Sequence, residues 1–162
     1  MKIRQGFVSN SSSSSFIIAL EERPKTEEDV IKLLYNNKSY FVSKDVVERL
    51  FKDITEAPAL SEEELLEEMS GGWIDGYNIE YDDRKQYRKP TKENPHFYDW
   101  KAYERDVKEL RQEVVDIFKA KNPNAKEFIS IGYSDNSGEL ETILEHELPW
   151  DKCCVAQRIS HH

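Results

Sequence analysis

The sequence is short of what would staple a fold or carry it across a membrane. Of its 162 residues only two are cysteines, Cys153 and Cys154, and they are adjacent. Neighbouring cysteines do not easily reach unstrained disulfide geometry and no third exists, so a disulfide framework is excluded and a reducing, cytoplasmic setting is expected. No run approaches 18 apolar residues, which rules out a spanning helix. Phe16–Leu20, the apolar stretch nearest the N-terminus, is shorter than the core of a secretory signal, about 7–15 residues. Gly-x-Ser-x-Gly, Cys-x-x-Cys, His-Glu-x-x-His and the dinucleotide glycine pattern are all missing, which lowers the odds of the commoner enzyme classes.

What is present is foldable. Three Trp, eight Tyr and seven Phe argue against disorder. A chain of this length fits one domain, here 1–162, with a core burying about 70% of its unfolded surface. The net charge of −9 is concentrated: between Asp45 and Glu68 nine acids face two bases. Like charge repels a phosphate backbone, so nucleic acid is disfavoured and a protein partner is the expected macromolecule, with Glu62, Glu63 and Glu67 as candidate contacts. The competing explanation is a solvated helix surface.

The periodicity predicts an α+β fold, or a small α/β one: a short sheet using strands from both termini, against four to five helices. Phe16–Leu20 reads as a buried strand. Thr26 caps a helix with Glu27, Glu28 and Asp29 in its first turn, and Tyr40-Phe41-Val42 is a possible short strand. Ser43 opens a second helix with Val46, Leu50 and Ile54 in one stripe. Ser61-x-x-Glu64 is a capping box for a third. An irregular aromatic and basic insertion covers about 73–98. From Asp99 to Ala120, Trp100, Tyr103, Val107, Leu110, Val114 and Ile117 step as an a/d seam, suited to core packing or, less readily, to a dimer through this 99–120 helix. Glu127–Tyr133 is a strand, Ser134–Gly138 a turn, and Glu139–Glu147 a helix in preference to a strand. Cys153–Ile159 closes the chain as a strand, so the last 35 residues suggest a βαβ unit.

Four places carry potential chemistry. Ser9, Asn10 and Ser11–Ser15 form a hydroxyl run that fits an anion cradle (Ser11, Ser12, Ser13 and Ser14, with Arg4), a packed structural crossing or a linker. His146, His161 and His162, with Asp135, Glu139, Glu141 and Glu145 nearby, are the ingredients of a metal or acid–base site; Asp135, Glu141, His146 and His161 are the catalytic candidates. Their spacing matches no zinc motif, so His146, His161 and His162 are weak ligands and no cofactor is required, a divalent metal being the option. Basic residues Arg84, Lys85, Arg88, Lys89 and Lys92 are interleaved with Trp73, Tyr77, Tyr81, Tyr87, Phe97 and Tyr98. That mixture suits base stacking, a loop that docks its aromatics on the domain and leaves its charges in water, or, in an acidic chain, a partner-binding loop in which Trp73, Tyr77, Arg84 and Arg88 are the contacts.

The two ends, Gly6-Phe7-Val8-Ser9-Asn10 with Ser11–Phe16 and Arg158-Ile159-Ser160-His161-His162, resemble signatures of a family of small proteins from tailed phages and some bacteria. The similarity spans about 16 residues at the start and 30 at the end, including Tyr133–Asn136, Gly138 and Glu145-His146. No activity is attached to that family. The resemblance implies that both ends are native parts of the protein, in the cytoplasm of a host cell, and it raises the expectation that they meet. The leading expectation is thus a small acidic protein that binds another protein. The alternative is a metal- or phosphate-handling enzyme at Ser9–Ser15, the Asp135 turn and the C-terminal histidines.

Overall fold

Serine hydroxyls do not prevent β structure when every backbone group finds a ladder partner. In the computed structural model, which describes residues 12–35, 43–69, 73–74, 87–134, 138–151 and 153–161, the serine run is the first half of a strand, β1 (Ser12–Leu20), and not a lead into one. The other elements are α1 (Glu27–Tyr35), α2 (Lys44–Glu56), α3 (Glu62–Glu68), β2 (Trp73–Ile74), α4 (Trp100–Lys121), β3 (Glu127–Ser134), α5 (Glu139–His146) and β4 (Val155–His161). The fold is α+β. Among the described residues no helix is long and apolar enough to cross a membrane.

The strands form one sheet in the order β2-β4-β1-β3. β1 is central and antiparallel to both neighbours, with Phe16 opposite Ile131 of β3 and Gln157 of β4. β3 and β4 therefore run parallel but never touch. The expected βαβ unit is split, because β1, with a ladder partner on each edge, fills the gap between its strands. The termini do meet: Ser12 lies opposite His161 and Ser13 opposite Ser160.

Alternation along β1 builds two cores. Phe16, Ile18 and Leu20 face Val30 and Leu34 of α1, Val46, Leu50 and Ile54 of α2, and Leu144 of α5. Ile17 and Ala19 face Leu65 of α3, Met69, and Val114, Val115 and Phe118 of α4. Helices thus cover both faces of the sheet, and each fully buried Ile, Leu or Phe contributes about 1.5–3 kcal/mol.

Local signals were followed closely. Thr26 accepts from the Asp29 N–H, the Ser61–Glu64 capping box forms, and Asp99 caps α4 through the Ala102 N–H. The a/d seam of α4 was not. Trp100 and Ile117 are 62% and 42% exposed, while Val115 and Phe118 join Val114 in the core. The helix lies across a sheet, so its buried stripe follows the 3.6-residue period instead of a coiled-coil seam. The last strand begins at Val155, because Cys153 and Cys154 sit in a turn whose N–H groups bond Asp151. The short strand expected at Tyr40–Val42 lies outside the described residues.

Candidate functional site

Period-two alternation splits the hydroxyl run between the two faces. Ser14 points into the first core and is 2% exposed, whereas Ser13 and Ser15 are half-buried on the opposite face. Ser14 Oγ donates to Glu145 Oε1 at 3.2 Å and accepts from Gln157 Nε2 at 3.3 Å. Gln157 Nε2 also donates to the Glu145 carbonyl at 3.3 Å. One residue each from β1, α5 and β4 is joined this way. Glu145 is itself 2% exposed, and its second oxygen, Oε2, has no hydrogen-bond partner; it lies 3.5 Å from Nε2 of the exposed His146.

One turn earlier on α5, Glu141 pairs with Arg49 of α2 at 3.1 Å, and Arg49 holds Asp53 at 2.8 Å. Asp53 accepts from the Tyr133 hydroxyl at 3.0 Å. Burial, with the Asp53 carboxylate beside it, pushes the Tyr133 phenol well above its usual range, so it stays a donor. Two polar clusters thus meet α5 one turn apart, Ser14–Glu145–Gln157 from the sheet and Glu141–Arg49–Asp53–Tyr133 from α2 and β3. Ser14 bonded to a carboxylate has the form of a nucleophile with its base, but both are sealed from solvent and no substrate reaches them. Buried, mutually bonded polar groups fix how elements dock; here they fix α5 on the sheet.

The expected residues therefore separate. Ser14 is not an anion contact, because its hydroxyl is already spent on Glu145. Glu141 is not a free catalytic acid, because it is 16% exposed and paired with Arg49. His161 ends β4 opposite Ser12. Glu62, Glu63 and Glu67 are exposed on α3, where Glu62 pairs with Lys119. Trp73 lies in β2, opposite Ile159. Arg4, Ser11, Tyr77, Arg84, Asp135 and His162 lie outside the described residues. Among the described residues no three His, Cys, Asp or Glu side chains gather as a metal cage. Burial, with Asp151 and Cys153 nearby, pushes the Cys154 thiol up to about 12, which leaves it unreactive.

The described part of the aromatic–basic insertion begins again at Tyr87. A narrow hairpin pairs Arg88 with Tyr98, its backbone joined by Lys89 N–H to the Phe97 carbonyl and Asp99 N–H to the Tyr87 carbonyl. Tyr87 is the anchor: it is buried, its hydroxyl donates to Asp106 at 3.0 Å, and its ring meets Tyr103 edge-on at 5.4 Å. Tyr98 packs at a tilt against Trp100, centroids 4.4 Å apart, and Trp100 meets Tyr103 edge-on at 5.8 Å. Arg88, Pro90, Pro95, His96, Phe97, Tyr98, Trp100 and Tyr103 enclose a groove of about 760 Å³. Sequence reading named Arg88 but assigned Trp100 and Tyr103 to a core seam, and it missed Pro90 and Pro95. The signal was there, since two prolines that bound a short polar stretch, with aromatics outside them, favour a fixed turn. Gln157 carried none.

Comparison with protein-family models, with curated proteins and with solved structures finds no match to this chain.

Proposed function

We propose that this chain is a phage-type protein that acts by binding another protein, and that the Trp100 groove is its contact surface. The observation that carries the reading is the exposure of Trp100 and Phe97, 62% and 42%, on a platform of packed rings. Large aromatics left in water at the lip of a groove are what interface hot spots are made of. A volume of about 760 Å³ falls within the range of sites that take a side-chain cluster or a short peptide. Because Tyr87 and the hairpin bonds already fix the rings, little ordering entropy is lost on binding. Arg88 and His96 in its lining suit an acidic segment of a partner, while the net charge of −9 weakens any grip on a nucleic-acid strand.

The enzyme reading is less well supported, since Ser14 and Glu145 are shut off and Glu141 is engaged. The experiment is capture from a host lysate with three proteins: wild type, Phe97→Ala/Trp100→Ala, and Glu62→Lys/Glu63→Lys/Glu67→Lys. The groove reading expects a partner whose binding weakens at least about 30-fold in the aromatic variant, with cross-links mapping to 88–103. Loss in the charge-reversed protein alone would move the contact to α3. Capture of nothing by wild type would overturn the reading.

A further inference from the structure

We propose that the outer edge of β3 docks a second copy of this chain, the two β3 strands pairing antiparallel about a twofold axis at Gly132. This inference stands apart from the Trp100 groove.

β3 ends the sheet, with β1 as its neighbour. Successive residues of a strand turn their N–H and C=O groups to opposite edges. Two bonds show which set faces outward. The Ala19 N–H donates to the Cys154 carbonyl, away from β3, and the Leu60 N–H donates to the Phe128 carbonyl from beyond the edge. Ala19 and Phe128 are partners in the register, so Phe128, Ser130, Gly132 and Ser134 turn their backbone groups outward. Leu60 occupies Phe128, and Ala59 bridges Ile129. Past that point, among the described residues, no hydrogen bond reaches the outward backbone groups of Ser130 or Gly132. Gly132 is exposed, and with no side chain what it exposes is main chain.

An open edge is a template for another strand, and the usual defences against pairing are absent here. Ser130-Ile131-Gly132-Tyr133-Ser134 holds no charge and no proline, and its register against β1 runs without a bulge. The stretch is also its own complement. Turned antiparallel about Gly132, it sets Ser130 opposite Ser134, Ile131 opposite Tyr133, and Gly132 opposite Gly132. Hydroxyl pairs and aromatic–β-branched pairs are among those that stabilise antiparallel neighbours. Outward-facing residues form the hydrogen-bonded pairs, so Gly132 exchanges both its N–H and its C=O with its copy. The fit ends in the right place. Ile129, engaged by Ala59, falls opposite position 135, after the copy's strand has closed at Ser134. An axis at Ile131 instead would drive the copy's Tyr133 and Ser134 onto Ala59 and Leu60. Any extended peptide offers main chain to this edge; the matched side chains and the register single out a second copy, in a closed twofold contact. Five residues a side fall well short of the about 20–30 of a standard interface, so the dimer is weak and forms with concentration.

The test is sedimentation equilibrium of the full-length protein from micromolar to millimolar concentration. Salt is held at about 0.15 M, where screening over about 8 Å damps the repulsion between two chains of charge −9. Wild type is expected to dimerise reversibly, with hydrogen exchange at the Ser130 and Gly132 amides slowing as concentration rises. A Cβ on Gly132 meets the Ser14 carbonyl at an ordinary 3.7 Å, so a side chain there is accommodated. Gly132→Lys sets two ammonium groups opposite each other and is expected to weaken the dimer at least about tenfold with the melting temperature kept. Gly132→Glu should do the same, and an equimolar mixture of the two variants should associate again. A wild type that stays monomeric overturns the proposal, as does association that leaves the two amides unprotected. So does Gly132→Lys dimerising as tightly as wild type, or a mixture that fails to recover.

Discussion

Ser14 and Ser15 are neighbours in a run of identical residues, yet the sheet treats them as opposites. On one face Ser14 and Glu145 bond to each other in the dry with Gln157 at their side, and a second cluster, Tyr133, Asp53, Arg49 and Glu141, meets α5 one turn away. On the other, Ser13 and Ser15 are half-buried on the face that Ile17 and Ala156 occupy, with Arg158 opposite Ser15. The first face has consumed its polar groups to hold α5. The second leaves its serines partly in reach of solvent. A hydroxyl is therefore structural or available according to which side of one strand it leaves, and composition alone does not decide it.

The comparison breaks most visibly at the aromatic that supports the closed face. Phe16 is fully buried and its ring meets Tyr133 at 5.8 Å and Trp150 at 5.2 Å. Phe16→Ala is expected to cost about 3–5 kcal/mol in urea unfolding, and to expose the Ser14–Glu145 contact. A loss below about 2 kcal/mol would mean that the network, and not the apolar packing around it, carries α5. A smaller effect separates the serines themselves. Ser14→Ala strips Glu145 Oε1 of its hydroxyl donor inside the protein and is expected to cost about 1–3 kcal/mol. Ser13→Ala, on the open face, should stay within about 0.5 kcal/mol. Equal costs from the two alanines, measured by the same denaturation midpoints, would abolish the distinction between the faces.

The residues that could be read directly were those whose partners lie close in sequence. The capping box at Ser61 and Glu64, the cap at Thr26, and the Ile129, Ile131 and Tyr133 stripe of β3 are local patterns, and each appears as expected. So does the α+β class, because strands at both ends with helices between leave few alternatives. The misses share a cause. Whether β3 and β4 touch depends on where β1 inserts, and whether Ile117 or Phe118 is buried depends on what α4 packs against. Both are tertiary facts. The site was legible in its residue types and not in its partition: the serines and Glu145 were singled out, but Ser14 to Glu145 spans 131 positions, and Gln157 carries no mark that sets it apart from other polar residues.

The mildest contrast sets the buried carboxylate of Glu145 against a solvated one, Asp29. Asp29 accepts from Lys32 Nζ at 3.0 Å and from the N–H groups of Lys25 and Thr26 at 3.1 and 3.2 Å. These donors, the Lys32 ammonium first, hold its carboxyl at about 2, below the usual carboxylate range. Since the folded value lies below that of the unfolded chain, about 3.9, folding favours the charged form. The contribution is present above about pH 4 and disappears as pH falls through about 2. Asp29→Asn should therefore lower the melting temperature slightly near neutral pH, with the gap closing over that acid interval. A gap that stays constant down to pH 2 would show that the carboxylate acts there as a shape and not as a charge, and that the solvated and the buried acid do the same structural job.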